Sequence, residues 1–282
     1  MWYASTIMIP NLPNIRILPI ESVVLHEDHD MQRTGPLVNR LRAQGILRNP
    51  PIVMPLQDGT GRFMVLDGAN RVTSLHAMEF PHILAQVVQA DDPHAILHTW
   101  NHVVWGMSTR TLMGGIKKVP GIKVKKIHTE RSVPAPTGMT AQVRLADGVV
   151  YLILLPPGLF AEVQALHGIV NCYKERSSLD RTSQTLVDSF RPIYTDLTAL
   201  VIFPRFETRT VLTLAGRGSV LPTGITRFTV SPRALHLNYP LHELSSCKSL
   251  DDKNEYLQQW IQERVKNKSV RYYAEATFLF DE

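Results

Sequence analysis

A chain of 282 residues that is 44% hydrophobic and 20% charged has enough apolar surface to offset the entropy of ordering it, which excludes extended disorder and predicts one large core or two modest ones. Its longest apolar runs, such as Val149 to Pro157, fall short of the roughly 20 residues needed to cross a bilayer, and Met1 to Pro10 lacks the basic flank of a secretion signal. The net charge is a mild +5, and two cysteines, Cys172 and Cys247, with no CxxC pair point away from a disulfide framework or a zinc knuckle and towards a reducing cytoplasm.

Asn14 to Leu25 is apolar and β-branched, which predicts one or two short strands interrupted at Pro19. A polar cluster follows, His26-Glu27-Asp28-His29-Asp30. Leu37, Val38 and Leu41 then share one face of a helix predicted over Met31 to Gln44, with Gly45 as its stop signal. Ile52 to Met54 and Phe63 to Leu66, separated by Asp58-Gly59, are predicted as two strands joined by a turn. Gly68 makes the next turn, Asn70 to Met78 has helical spacing through Val72, Leu75 and His76, and His82 to Val88 returns as a strand.

Gly114-Gly115 and Pro120 suggest a boundary or hinge, dividing the chain into residues 1–112 and 113–282. The second part is expected to carry its own core. Its elements are strands at Ala141 to Leu145 and Val149 to Leu155, a helix from Leu159 to about Tyr173, and an apolar run at Leu200 to Phe203. Leu250 to Lys266 is predicted as a surface helix, acidic in its first turn and basic in its last, as the helix dipole favours. Lys117, Lys118, Lys123, Lys125 and Lys126 lie close together and form either a solvated face or a phosphate-binding patch.

Leu66-Asp67-Gly68-Ala69-Asn70-Arg71 is the most informative stretch. A glycine turn that opens a helix leaves backbone N–H groups unpaired and available to phosphate. Arg71 adds a permanently charged donor, and Asp67 could hold a Mg²⁺ ion or a hydroxyl. The alternative is a capped helix whose Arg71 pairs with Asp67. His26 to Asp30 offers imidazoles and carboxylates for metal ligation or general-base work, or else a polar helix start with Asp28 or Asp30 as N-cap. Trp100 sits among polar residues and could wall a small-ligand pocket. Pro222-Thr223-Gly224-Ile225-Thr226-Arg227 combines a glycine turn, hydroxyls and an arginine, the makings of a second phosphate cradle or simply a turn between strands.

The order of these N-terminal elements resembles the ParB/sulfiredoxin-like fold over about a third of the chain. Sulfiredoxins carry a catalytic cysteine where this chain has Ala69. Chromosome-partitioning ParB proteins carry Gly-Glu-Arg-Arg there, followed by a helix-turn-helix that is not found here. The free L-serine kinases, some from siderophore gene clusters, are similar in four ordered segments: Leu25-His26-Glu27, Asp67-Gly68-x-x-Arg71, Thr99-Trp100-x-His102 and Gly224-Ile225-Thr226-Arg227. That resemblance implies an α/β (α+β) protein in which a ParB/sulfiredoxin-like nucleotide-binding domain and a second α/β domain form a cleft. There a phosphoryl group would pass from ATP or ADP, with Mg²⁺, to the hydroxyl of L-serine. It further implies Glu27 as the base, Asp67 as catalytic residue and metal ligand, Asp67, Gly68, Ala69, Asn70 and Arg71 around the nucleotide, and Trp100, His102, Thr226 and Arg227 around serine. ADP-using archaeal members tend to have histidines where this chain has Ala69-Asn70. The rival expectation is a nucleotide-responsive DNA-binding regulator that uses the lysine cluster.

Overall fold

The computed structural model describes residues 12–29, 31–127 and 140–273; the expectations for residues 1–10 and for Asp30 lie outside them. In chain order the first elements are β1 (Ile15–Pro19), β2 (Val23–Val24), α1 (Met31–Gln44), β3 (Ile46–Leu47), β4 (Ile52–Pro55), β5 (Phe63–Asp67), α2 (Ala69–Ala77) and β6 (His82–Val87). Five of the strands form a mixed sheet in the order β1-β6-β4-β5-β2. Then come β7 (Ala95–Thr99), β8 (Asn101–Trp105), α3 (Thr109–Ile116), β9 (Lys123–Ile127), β10 (Thr140–Leu145), β11 (Val150–Leu154), α4 (Leu159–Asn171), β12 (Ser178–Thr182), β13 (Leu197–Ile202) and α5 (Thr208–Gly216). The chain continues through β14 (Thr226–Val230), β15 (Tyr239–Pro240), α6 (Leu241–Ser245) and α7 (Leu250–Lys266). An antiparallel six-stranded sheet runs β12-β8-β13-β10-β11-β9, and two ribbons pair β14 with β7 and β15 with β3.

The helices follow their predicted bounds closely, because Gly45 adopts a left-handed φ of +65° after α1 and Ser249 caps the first turn of α7. On α2 the buried face is Val72, Ser74 and Leu75, while His76, expected on that face, is exposed. The five-stranded sheet is covered on both sides. Val53 and Val65 point into one core with Leu41, Leu75 and Leu257. Met54, Met64 and Leu66 point into another with Val104, Leu112, Val143, Leu166 and Val201. Strand alternation explains this split, since successive side chains leave opposite faces.

The second part therefore does not have a core of its own: its core is continuous with one face of the first sheet. Residue 112 falls inside α3, and β8, which precedes it, already belongs to the six-stranded sheet. Nor do Gly114 and Gly115 form a hinge. Both are helical, and a Cβ on Gly115 would lie 3.1 Å from Cys172 Sγ, so the glycine lets α3 approach the end of α4. Lys123, Lys125 and Lys126 lie on β9, an edge strand, where lysines discourage pairing with another chain. No helix among the described residues is long and apolar enough to cross a membrane.

Candidate active site

The two sheets meet where the segment after β2 is zipped to a segment nearly 200 residues away. Glu27 bridges Leu221 in parallel, Asp28 N–H donates to Leu221 O at 2.9 Å, and Leu221 N–H donates to His26 O at 2.8 Å. This pairing brings the Gly224–Thr226 turn onto the Glu27 side chain. Glu27 Oε2 accepts from Gly224 N–H at 2.7 Å, and Oε1 accepts from Thr226 N–H at 2.6 Å and from the Thr226 hydroxyl. Of the four lone-pair directions of a carboxylate, three are occupied by this clasp, and the fourth, on Oε2 of a half-buried residue, has no partner among the described residues.

Behind the clasp lies His26. Its Nδ1–H donates to Val65 O at 2.5 Å and its Nε2 lies 2.8 Å from Thr226 Oγ1. Burial, partly opposed by the Glu27 charge, lowers its pKa below the usual histidine value, so the ring is neutral and Nε2 is an acceptor. Thr226 thus has one hydroxyl hydrogen between two acceptors. With both ring nitrogens engaged, His26 offers no free nitrogen to a metal ion. Among the described residues no group of three or more His, Cys, Asp or Glu side chains is placed to hold a metal ion.

The second feature is the turn from β5 into α2. Gly68 has φ +97°, and a Cβ there would come within 2.9 Å of both Arg71 Cζ and Pro51 Cβ, so only glycine fits. No side chain caps α2, and its first amides, on Ala69 and Asn70, are left open. Arg71 turns inward: Nη1 donates to Asn49 O at 2.7 Å and Pro50 O at 2.9 Å, and Nη2 lies 3.5 Å from Asp67 Oδ2. Burial lowers the Arg71 pKa from its usual value. The pairing of Arg71 with Asp67 is thus the arrangement found. A second arginine, Arg233, closes on the same Asp67 oxygen from the C-terminal part of the chain. Sequence reading missed it, since Ser231-Pro232-Arg233 carries no motif.

The other expected substrate residues separate. Thr226 is buried against Glu27 and His26, and Phe228 packs edge-on to the His26 ring at 5.5 Å. Arg227, between them on β14, faces the opposite way, 4.6 Å above the Trp100 ring and beside His98 on β7. It lines a cavity of about 470 Å³ with Arg205, Asn101, Ser183 and Thr185 that includes neither Glu27 nor Asp67. His102 is not part of that cavity lining: it is 1% exposed, donates from Nε2 to Gly224 O at 2.9 Å and accepts from the Tyr173 hydroxyl at 2.7 Å. Burial drives its pKa down to about 4. His102 thus ties the Gly224 turn to β8. Arg227 and Thr226 were expected to share one pocket, and strand alternation puts them on opposite faces.

No family model matches the chain. It is 25% identical over 276 residues to the ATP-dependent L-serine kinase SbnI of Staphylococcus aureus, spanning 95% of this chain and 98% of that protein. An ATP-dependent L-serine kinase of Staphylothermus marinus is 26% identical over 110 residues, 39% of this chain and 42% of that one. Among solved structures, C-terminally truncated SbnI superposes with a TM-score of 0.71 at 20% identity, covering 89% of this chain and 97% of that one. A free serine kinase in complex with AMP superposes with a TM-score of 0.68 at 14% identity, covering 82% and 94%. The fold is that of these proteins, which bears out the expected mixed α/β class.

Proposed function

We propose that the chain is an ATP-dependent L-serine kinase, transferring the γ-phosphoryl group of ATP to the hydroxyl of free L-serine to give O-phospho-L-serine and ADP. Similarity to one ATP-dependent L-serine kinase along nearly the whole chain, and to a second over 110 residues, supports the activity and favours ATP over ADP as donor. The observation that carries the mechanism is the clasp on Glu27, which fixes a carboxylate in one orientation with one lone pair to spare.

The serine hydroxyl oxygen attacks the γ-phosphorus as the bond to the bridging oxygen of ADP breaks, and the hydroxyl proton passes to Glu27. Because phosphoryl transfer proceeds through a loose transition state, the proton leaves late, and positioning matters more than a strong base. The open amides of Ala69 and Asn70 at the positive end of α2 receive the nucleotide phosphates, and Gly68 gives them room. Asp67 Oδ1, which accepts from neither arginine, fits the one-carboxylate site that Mg²⁺ commonly uses together with phosphates and water. A bound Mg²⁺ would supply charge neutralisation there. Arg71 holds the turn in shape, and Arg233 is free to swing from Asp67 to a phosphate. ATP as donor and two free thiols, Cys172 and Cys247, support a cytoplasmic setting.

The test is phosphorus NMR of the protein with Mg²⁺, ATP and L-serine. A phosphomonoester resonance should grow as the γ-phosphate signal of ATP declines. Persistence of ATP, or its hydrolysis to inorganic phosphate independently of serine, would remove the reading.

A further inference from the structure

Arg181, on the edge strand β12, has no sequence motif around it, yet it lies against the Glu27 turn. A Cβ built on Gly224 would fall 2.1 Å from Arg181 Nε and 2.5 Å from Cζ, so the guanidinium rests directly over the Gly224 α-carbon. The glycine serves two purposes: its φ of +77° forms the turn, and its bare α-carbon admits the arginine. The same glycine donates its N–H to Glu27 Oε2, the oxygen that keeps a lone pair for substrate. Arg181 is exposed, and no carboxylate among the described residues pairs with it; its neighbour Asp180 is taken by the Tyr194 hydroxyl at 2.6 Å.

A permanently charged side chain beside the proposed base, without an ion-pair partner, is placed to meet an anion. Two anionic groups must enter this site, and the fold offers a cationic feature for each. The open end of α2 and Arg233 belong to the Asp67 side, with the five-stranded sheet. Arg181 comes from the six-stranded sheet, on the other side of the seam in which Glu27 sits. In L-serine the carboxylate is separated from the hydroxyl by only two carbon atoms, so a serine whose hydroxyl reaches Oε2 carries its carboxylate into the neighbourhood of the Gly224 turn. We propose that Arg181 binds the carboxylate of L-serine and so selects an amino acid over other small alcohols. This rests on the kinase reading above. It also moves that role away from Arg227, which faces the opposite side of β14.

The experiment compares wild type, Arg181→Gln and Arg181→Lys on L-serine and on serinol, which replaces the carboxylate with a hydroxymethyl group. In Arg181→Gln, kcat/KM for L-serine should fall by about 10- to 150-fold, the range of a hydrogen bond to a charged group. Activity on serinol and KM for ATP should stay near wild type, and Arg181→Lys should fall in between because it keeps the charge but loses the bidentate fork. Equal losses on both substrates, or a raised KM for ATP with KM for serine unchanged, would overturn the assignment. A wild type active on serine with an unaffected Arg181→Gln would overturn this proposal alone, whereas a wild type inert towards serine would overturn the kinase reading and this proposal with it. Arg181→Lys keeps the question answerable if the glutamine variant fails to fold.

Discussion

Glu27 follows β2 and Asp67 ends β5, neighbouring strands of one sheet, yet the fold treats the two carboxylates in opposite ways. Glu27 is gripped by two backbone amides and a hydroxyl from a segment nearly 200 residues distant, which fix its orientation. The Asp67 side chain is 41% exposed and offers one oxygen to two arginines, one of them the exposed Arg233, while the amides beside it are unpaired. The difference matches the two tasks proposed for them: a proton acceptor must be held in place, whereas a phosphate site must exchange internal ion pairs for those of a ligand.

Glu27→Gln is the most severe way to break this arrangement. The shape is kept, but the base is lost and an amide NH₂ is turned against Gly224 or Thr226 N–H. Serine phosphorylation measured by rapid quench should fall by about 10²- to 10⁴-fold, with nucleotide affinity by calorimetry nearly unchanged. Next comes Gly224→Ala, which places a Cβ on Arg181 at a left-handed φ; urea unfolding should show a loss of about 2–3 kcal/mol, and wild-type stability would mean that the turn is not tightly held. Arg71→Ala acts on the other side of the site. Its guanidinium serves the Asn49 and Pro50 carbonyls, so unfolding free energy should drop by about 2 kcal/mol, and nucleotide binding should weaken as the turn loosens. A variant that lost nucleotide affinity at full stability would show that Arg71 binds phosphate directly.

A change of pH probes the underside of the Glu27 turn. His102 titrates near 4 in the fold instead of 6.5, chiefly because it is buried. Between those values the unfolded chain binds the extra proton and the folded chain does not, so stability falls as the pH drops through this window. From pH 7 to pH 5 the loss should be about 2 kcal/mol, and His102→Gln should flatten it. The smallest effect is expected from Arg233→Ala: an exposed ion pair contributes at most about 1 kcal/mol to stability, so the melting temperature should hardly move while KM for ATP rises. An unchanged KM would confine Arg233 to the surface.

What was legible in the sequence followed from local signals. The extents of α1 and α7 and the strand-turn-helix around Gly68 were set by glycine, capping and periodicity within a few residues. Glu27, Asp67 and the Gly224 turn were singled out because short motifs kept their order. The rest depended on contacts between distant segments. The shared core was hidden because Met54, Met64 and Leu66 look the same whether their strand face meets a helix or another sheet. His102 was placed around serine by the resemblance, and nothing nearby in sequence shows that Tyr173 and Gly224 will enclose it. Arg227 was joined to Thr226 because the segment was taken as a turn throughout, and the strand that starts at Thr226 sends the two side chains apart. Arg181 and Arg233 had no local signal; only the topology brings them to the site.

The most direct measurement is a crystal structure with a non-hydrolysable ATP analogue, Mg²⁺ and L-serine. The account predicts phosphate oxygens on the Ala69 and Asn70 amides, the metal on Asp67, and the serine hydroxyl within about 3 Å of Glu27 Oε2. Nucleotide in the cavity between Arg205 and Arg227 instead, with Glu27 touching no ligand, would contradict it.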